Sequence, residues 1–65
     1  MRETQLDHWT LNAWSVYAAH VKKPTTRGFA RYIGLDPATT HRRLARLVAF
    51  GLLGHHRGRF YQPQY

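Results

Sequence analysis

The stretch from Phe29 to Leu53 limits what this chain can fold into more than any other part of it. Two segments with apolar residues at i, i+3 and i+4 lie on either side of a Gly-Leu-Asp joint, and this spacing predicts two half-buried helices. Gly34 can adopt a positive φ and end the first helix. Asp36 can accept hydrogen bonds from the first N–H groups of a helix that begins at Pro37. The stretch therefore predicts a helix-turn-helix that stops at Gly51.

The same stretch resembles the helix-turn-helix core of winged-helix transcriptional regulators. Their usual pattern is Leu-Ala, two variable residues, apolar-Gly-Leu-Ser, and a helix ending in Leu-x-x-Leu-x-x-x-Gly-Leu-apolar. The matching positions are Phe29, Ala30, Ile33, Gly34, Leu35, Asp36, Thr39, Leu44, Leu47, Gly51, Leu52 and Leu53. Thr40 departs from the pattern by adding a hydroxyl, and Gly28 departs from it at a cost of about 1 kcal/mol in helix propensity. The resemblance implies a mainly α fold with a small β-hairpin, a three-helix winged helix-turn-helix, with double-stranded DNA as partner.

The chain length limits the size of the core. Its 65 residues fit a single domain, 1–65, and such a domain buries only about 60% of its unfolded surface. We expect helices at about 5–21, 26–33 and 37–50, and a hairpin, the wing, at about 52–61.

The composition excludes several other classes of protein. The chain has no Cys, which rules out a disulfide framework and a Cys-based zinc finger. Arg2, Glu3 and Asp7 interrupt any apolar run at the start, so we expect no signal peptide. No apolar run is long enough to span a bilayer. These features predict a cytoplasmic, nucleoid-associated protein without a membrane partner.

The charge is concentrated in the part of the chain that carries the motif. Residues 1–19 have a net charge of −1, whereas residues 20–65 contain nine Lys or Arg side chains and one acid, Asp36, for a net charge of +8. A surplus of this kind indicates a polyanionic partner, most often nucleic acid. Solubility alone does not explain why the charge coincides with the motif.

The first helix has more apolar side chains than one short core requires. The expected core-facing side consists of Leu6, Trp9, Ala13, Val16, Tyr17 and Val21. Leu11 and Trp14 lie off the centre of that side. Two interpretations of Leu11 and Trp14 stay open, ordinary core packing and a contact in a homodimer.

The start of the second helix is a predicted phosphate site. Thr25 or Thr26 caps this helix, whose N-terminus crosses the DNA backbone in helix-turn-helix proteins. We therefore expect Thr26 and Arg27 to contact phosphate. Arg31 is interpreted as part of a solvated face.

The third helix is the candidate recognition helix. Its expected DNA contacts are Ala38, Thr39, His41, Arg42, Arg43 and Arg46. The small first turn lets the backbone approach base edges, and the fork of Arg42 matches O6 and N7 of guanine. Arg43 and Arg46 are expected to hold phosphates. The alternative for the three arginines is a solvated basic face. The opposite, buried side is expected to consist of Thr40, Leu44, Leu47 and Val48.

The spacing of apolar residues no longer fits a helix after Gly51, and the sequence predicts two short strands around a turn at Arg57 and Gly58. The tip of this wing consists of His56, Arg57 and Arg59, which are expected to contact phosphates or the minor groove. Phe60 or Tyr61 is expected to pack against the helices.

Catalytic and metal chemistry find little support in the sequence. The five histidines lack the spacing of a zinc site, no Ser-His-acid set is credible, and no Gly-rich phosphate loop is present. We expect no enzyme activity, no cofactor, no metal and no small-molecule ligand.

Two functions remain. The first is a sequence-specific double-stranded DNA-binding protein, a small transcriptional regulator that represses as a homodimer on a two-fold operator. The alternative is a winged-helix protein-interaction module or non-specific nucleic-acid-binding module in a replication, partition or recombination complex.

Overall fold

The computed structural model describes residues 2–62. The order of elements is α1 (Gln5–His20), α2 (Thr26–Ile33), α3 (Pro37–Ala49), β1 (Gly54–His56) and β2 (Arg59–Tyr61). The two strands pair antiparallel, with His55 opposite Phe60. This confirms the expected fold class, mainly α with three helices followed by a small hairpin in the position of a wing. The expected C-terminal bounds of the first and third helices each lie one residue beyond the observed ends.

Each helix begins at a side chain that accepts a hydrogen bond from a backbone N–H. Thr4 caps α1 in a capping box with Asp7, and Thr25 caps α2 by accepting from the N–H of Gly28 at 3.0 Å. The Asp36 carboxylate caps α3 by accepting from the N–H of Thr39 at 3.0 Å. Caps of this kind contribute about 1 kcal/mol each, so local sequence fixes where the helices start.

The helix ends follow the glycines that the sequence singled out. Gly34 has a φ of 75° and donates its N–H to the carbonyl of Ala30. Gly51 has a φ of 77° and lies two residues after Ala49, the last residue of α3. An alanine at either position would be forced into the left-handed region, which L-residues with a Cβ rarely adopt.

The core lies between the three helices and the base of the hairpin. Its buried apolar side chains are Trp14, Phe29, Leu44, Leu47, Leu53 and Phe60. Thr40 is also fully buried, and its hydroxyl donates to the carbonyl of Asp36 at 2.9 Å. The hydroxyl that departs from the winged-helix pattern is thus satisfied within its own helix.

The structure corrects the expected orientation of α1. Trp14 is 1% exposed and lies in the core, whereas Trp9 and Val16 are each 50% exposed. The inward side of α1 begins with two buried polar residues, Asp7 and Thr10. Their burial is tolerated because both side chains are hydrogen-bonded. The homodimer interpretation of Trp14 is therefore wrong, because its side chain is not available to a partner. Leu11 is half-buried and packs against the core, which places it with the core-packing interpretation.

The neighbours of Gly28 explain why a glycine occupies this position. A Cβ built on Gly28 would lie 2.1 Å from the hydroxyl oxygen of Tyr17, far inside van der Waals contact. The absent side chain thus leaves room for the Tyr17 ring of α1 to lie over the start of α2. Close helix packing offsets the lower helix propensity of glycine here.

Asp7 connects α1 to α3. Its carboxylate accepts from the Nε of Arg46 at 2.8 Å and from the backbone N–H of Thr4 at 2.7 Å, and its side chain is 5% exposed. Burial raises the pKa of Asp7, but the hydrogen bonds from Thr4 and the Arg46 guanidinium outweigh it, so the pKa lies below the ordinary value of 3.8. The ion pair bridges residues 39 positions apart in the sequence.

The lowered pKa of Asp7 predicts acid sensitivity. Because the folded state holds the ionised carboxylate better than the unfolded state, this contribution to stability is complete above the unfolded pKa, near 3.8, and disappears as the pH falls through the lower folded value. Asp36, whose pKa is also lowered, acts in the same direction. We expect the Asp7→Asn variant to unfold at a lower temperature at pH 7 and to lose less of its stability on acidification to about pH 2.5 than the unchanged chain.

Thermal unfolding followed by circular dichroism between pH 2.5 and 7 measures this effect. Glu3→Gln is the matched control, since Glu3 is exposed and the closest approach of its carboxylate to the His8 ring nitrogen Nε2 is 3.8 Å. The bridging role of Asp7 would be refuted by equal acid sensitivity in the unchanged chain and in Asp7→Asn.

Candidate nucleic-acid interface

The first turn of α3 presents small side chains together with one ordered polar pair. Ala38 is exposed, and Thr39 is half-buried. An Nη2 group of Arg42 donates to the Thr39 hydroxyl at 3.2 Å. The Thr39 side chain also hydrogen-bonds the Asp36 carboxylate, so its hydroxyl hydrogen is engaged within the turn. The turn thus offers the remaining N–H groups of one guanidinium, with little bulk around them.

Asp36 gives the same turn a fixed negative charge. The side-chain and backbone hydrogen bonds at Thr39 are the main reason that the pKa of Asp36 lies below its ordinary value, and the nearby Arg42 charge adds to the effect. The carboxylate is therefore ionised at neutral pH and holds the start of α3 in place. This arrangement follows from the Asp-Pro pair at the joint, where the N-cap side chain faces the free N–H groups.

The hairpin exposes its charged residues through a two-residue turn. Arg57 and Gly58 have φ values of 51° and 77°, and His56 pairs with Arg59 across the turn. Positive φ at both central residues is the geometry of a type I′ turn, whose twist matches that of the flanking strands. His56, Arg57 and Arg59 are all exposed. The wing tip predicted from sequence is thus present with its three expected residues.

Contacts between aromatic rings connect the hairpin to α3. The His55 ring lies 4.5 Å from the Phe60 ring, centroid to centroid, with 10° between their planes. His41 of α3 meets Phe60 edge-on at 5.7 Å and lies 6.5 Å from His55. Phe60 is 6% exposed, which confirms that one of the two expected aromatic residues packs against the helices. The exposed side of α3 and the wing tip are therefore adjoining surfaces, joined at His41.

The start of α2 adds a third part to this surface. Thr26 is the first residue of α2 and is half-buried, while Arg27 is exposed. Arg27 and Arg31 line one groove between α2 and the start of α3, together with Leu35 and Pro37. Arg31 is exposed, in agreement with its interpretation as part of a solvated face, and it also lies in the same groove as Arg27. The i, i+4 spacing of the two arginines on one helix was the signal that could have found this proximity.

Arg46 was predicted to contact phosphate, but its guanidinium is bound within the protein. Besides its ion pair with Asp7, its Nη2 donates to the carbonyl of Arg2 at 3.0 Å, and its guanidinium carbon lies 5.2 Å from the centre of the Phe50 ring. Arg43 is half-buried and Arg42 is exposed on the same helix. Arg46 therefore joins α1 to α3, and the phosphate contact expected of it is withdrawn.

The remaining cations have few carboxylates near them. Among residues 2–62, the ion pairs are those of Arg46 with Asp7 and of His8 with Glu3. The third acid, Asp36, serves as the cap of α3. Arg27, Arg42, Arg57 and Arg59 are all exposed at the three adjoining parts of the surface. The positive charge of this face is thus left largely uncompensated by the described part of the protein.

Within residues 2–62, no three His, Asp or Glu side chains are close enough together to hold a metal ion. None of the helices in this part of the chain combines the length and apolar character required to cross a bilayer.

Comparisons with known proteins leave this geometry as the main guide to function. No protein-family model matches the chain, and neither a curated protein nor a solved structure shows significant similarity to it.

Proposed function

We propose that this protein binds double-stranded DNA sequence-specifically as a small winged-helix transcriptional regulator, acting as a repressor without catalytic activity of its own. The N-terminal half of α3 enters the major groove, and the wing lies on the backbone or in the minor groove. In this arrangement Thr39, His41 and Arg42 face base edges. Thr26, Arg27, Arg43, His56, Arg57 and Arg59 lie along the phosphates.

One observation carries the proposal. Exposed arginines at the start of α2, on α3 and at the wing tip occupy adjoining surfaces. The first turn of α3, which lies among them, presents small side chains. A protein surface of this kind suits a polyanion with a groove that is wide enough for a helix. The Thr39 hydroxyl holds the Arg42 side chain at this turn, and the guanidinium fork of Arg42 is a group that discriminates bases.

A second candidate is a non-specific nucleic-acid-binding module. Most of the exposed arginines lie where they would contact phosphates rather than bases, and phosphate contacts carry no direct sequence information. The two candidates differ in one measurable quantity. A regulator prefers its operator over bulk DNA by about 10³-fold or more, whereas a non-specific module does not.

The first test is the salt dependence of binding to a fluorescently labelled random duplex. Because each phosphate neutralised contributes a slope of about −0.9 in log affinity against log salt, Arg57→Ala should make the slope shallower by about one unit. Arg2→Ala is the matched control. This variant also removes one positive charge. The carbonyl of Arg2 accepts a hydrogen bond from Arg46, so Arg2 lies near the C-terminal half of α3.

The two variants locate the DNA-binding surface together. Equal slopes for Arg57→Ala and the unchanged chain would exclude the wing tip from the interface. Equal flattening by Arg2→Ala and Arg57→Ala would indicate attraction to the overall charge rather than a defined surface. Absence of binding even at low salt would overturn the proposed function.

A further inference from the structure

The side of α1 that faces away from the core forms an open groove with α2. Its lining consists of Trp9, Asn12, Ala13, Val16, Tyr32 and Ile33, and we call it the α1–α2 groove. Trp9, Val16 and Tyr32 are each at least half exposed. Leu6, one helical turn before Trp9, is 49% exposed and extends the same apolar stripe. Large aromatic side chains exposed in one patch are typical of interfaces rather than of free surface.

The α1–α2 groove contains no charged residue, although the chain has a net charge of +7. Two copies that met through α3 or the wing would bring exposed arginines together, which is unfavourable. None of the groove residues belongs to α3 or to the hairpin. Contact through the groove therefore joins two copies at their uncharged side and leaves the basic surface of each copy exposed.

A two-fold axis between Asn12 and Ala13 makes the groove self-complementary. With the two copies of α1 antiparallel, Trp9 of one copy meets Val16 of the other, since each lies about 5 Å from the axis at 1.5 Å per residue. Ala13 near the axis is small enough to let the helices approach closely. The contact thus places apolar side chains against each other on both sides of the axis.

The exposed area is suitable for a small dimer of moderate affinity. An aromatic side chain has about 150–250 Å² of surface, so the exposed parts of Trp9 and Tyr32 alone provide roughly 200 Å² per copy. Val16 and Leu6 raise this to roughly 350 Å². A standard interface buries about 800 Å² per partner, a little more than half of it apolar. The patch supplies most of the apolar part, and polar residues around it supply the remainder.

We propose that the α1–α2 groove is the contact surface of a homodimer in which two copies of α1 pack antiparallel across a two-fold axis. This assignment does not depend on the proposed DNA binding, since the surface is separate from the basic one. It replaces Trp14 by Trp9 as the tryptophan that faces the second copy.

Sedimentation equilibrium of the full chain, freed of nucleic acid and held at high salt, tests this proposal. The unchanged chain should move from its monomer mass of 7.6 kDa toward twice that mass as its concentration rises through the micromolar range. Trp9→Lys should stay monomeric, and circular dichroism checks that it remains folded. Ala45→Lys, which adds the same charge at an exposed position of α3, should dimerise like the unchanged chain.

Single-cysteine chains give a second readout, because the protein has no cysteine of its own. Mild oxidation of the folded Asn12→Cys chain should produce a covalent dimer far faster than oxidation of Ala45→Cys. A monomer mass at all concentrations would overturn the proposal and leave the groove to another protein or to solvent. Equal dimerisation of Trp9→Lys and the unchanged chain would overturn it in favour of a different dimer surface.

Discussion

Replacement of Trp14 by alanine is expected to leave the protein largely unfolded at room temperature. The Trp14 ring meets Phe29 edge-on at 5.1 Å and Phe60 at 6.3 Å, so it joins α1 to α2 and to the hairpin. Truncation of a buried tryptophan to alanine costs about 3–5 kcal/mol. A core of this size supplies little more than that amount in total. Urea unfolding followed by far-ultraviolet circular dichroism measures the loss.

Trp9→Ala is the matched control for this prediction, since it removes the same side chain from the same helix. Trp9 is 50% exposed whereas Trp14 is 1% exposed, so truncation of Trp9 removes about half as much buried apolar surface and should cost clearly less free energy of unfolding. The comparison is made at a concentration at which the chain is monomeric, so that dimer contacts do not contribute. A larger loss in Trp9→Ala than in Trp14→Ala would mean that α1 faces the core with its other side.

Arg42→Ala is expected to remove discrimination at one base pair of the preferred DNA site. A guanidinium fork on guanine O6 and N7 contributes about 1–3 kcal/mol of discrimination, which corresponds to roughly 5- to 150-fold in affinity. The preferred duplex is first obtained by selection from random sequences. Competition with single-base variants of that duplex then measures the preference at each position.

Two further variants separate base readout from charge. Arg42→Lys keeps the charge but lacks the planar fork, so it should lose most of the discrimination while keeping the salt slope. Arg57→Ala should weaken all duplexes by a similar factor. If Arg42→Ala also weakens every duplex equally, then Arg42 contacts phosphate and the base-reading role assigned to it is wrong.

The helix boundaries were predictable because the residues that set them act locally. Thr4, Thr25 and Asp36 accept hydrogen bonds from N–H groups three residues ahead, and Gly34 and Gly51 adopt positive φ. Such effects depend on a few consecutive residues, so a sequence pattern contains most of the information. The hairpin turn at Arg57 and Gly58 belongs to the same class.

The orientation of α1 was not predictable in the same way. Apolar side chains lie on several sides of this helix, so the apolar pattern alone favours no single direction. The inward side includes Asp7, whose burial is tolerable because Arg46 lies opposite it on α3. No local pattern in either helix announces a pair 39 residues apart.

The sequence by itself determined the three helices, the Asp36 cap of α3, the turn of the hairpin and the concentration of positive charge in the part that contains the motif. Only the tertiary structure decided which tryptophan is buried, which arginine is used internally and which apolar stripe remains uncovered. The physical reason is that caps and turns are satisfied by neighbours in sequence, whereas burial and ion pairing depend on what another helix places opposite. Asp7 combines the two effects. It accepts a hydrogen bond from the neighbouring Thr4 in the capping box, and it forms an ion pair with Arg46 of another helix.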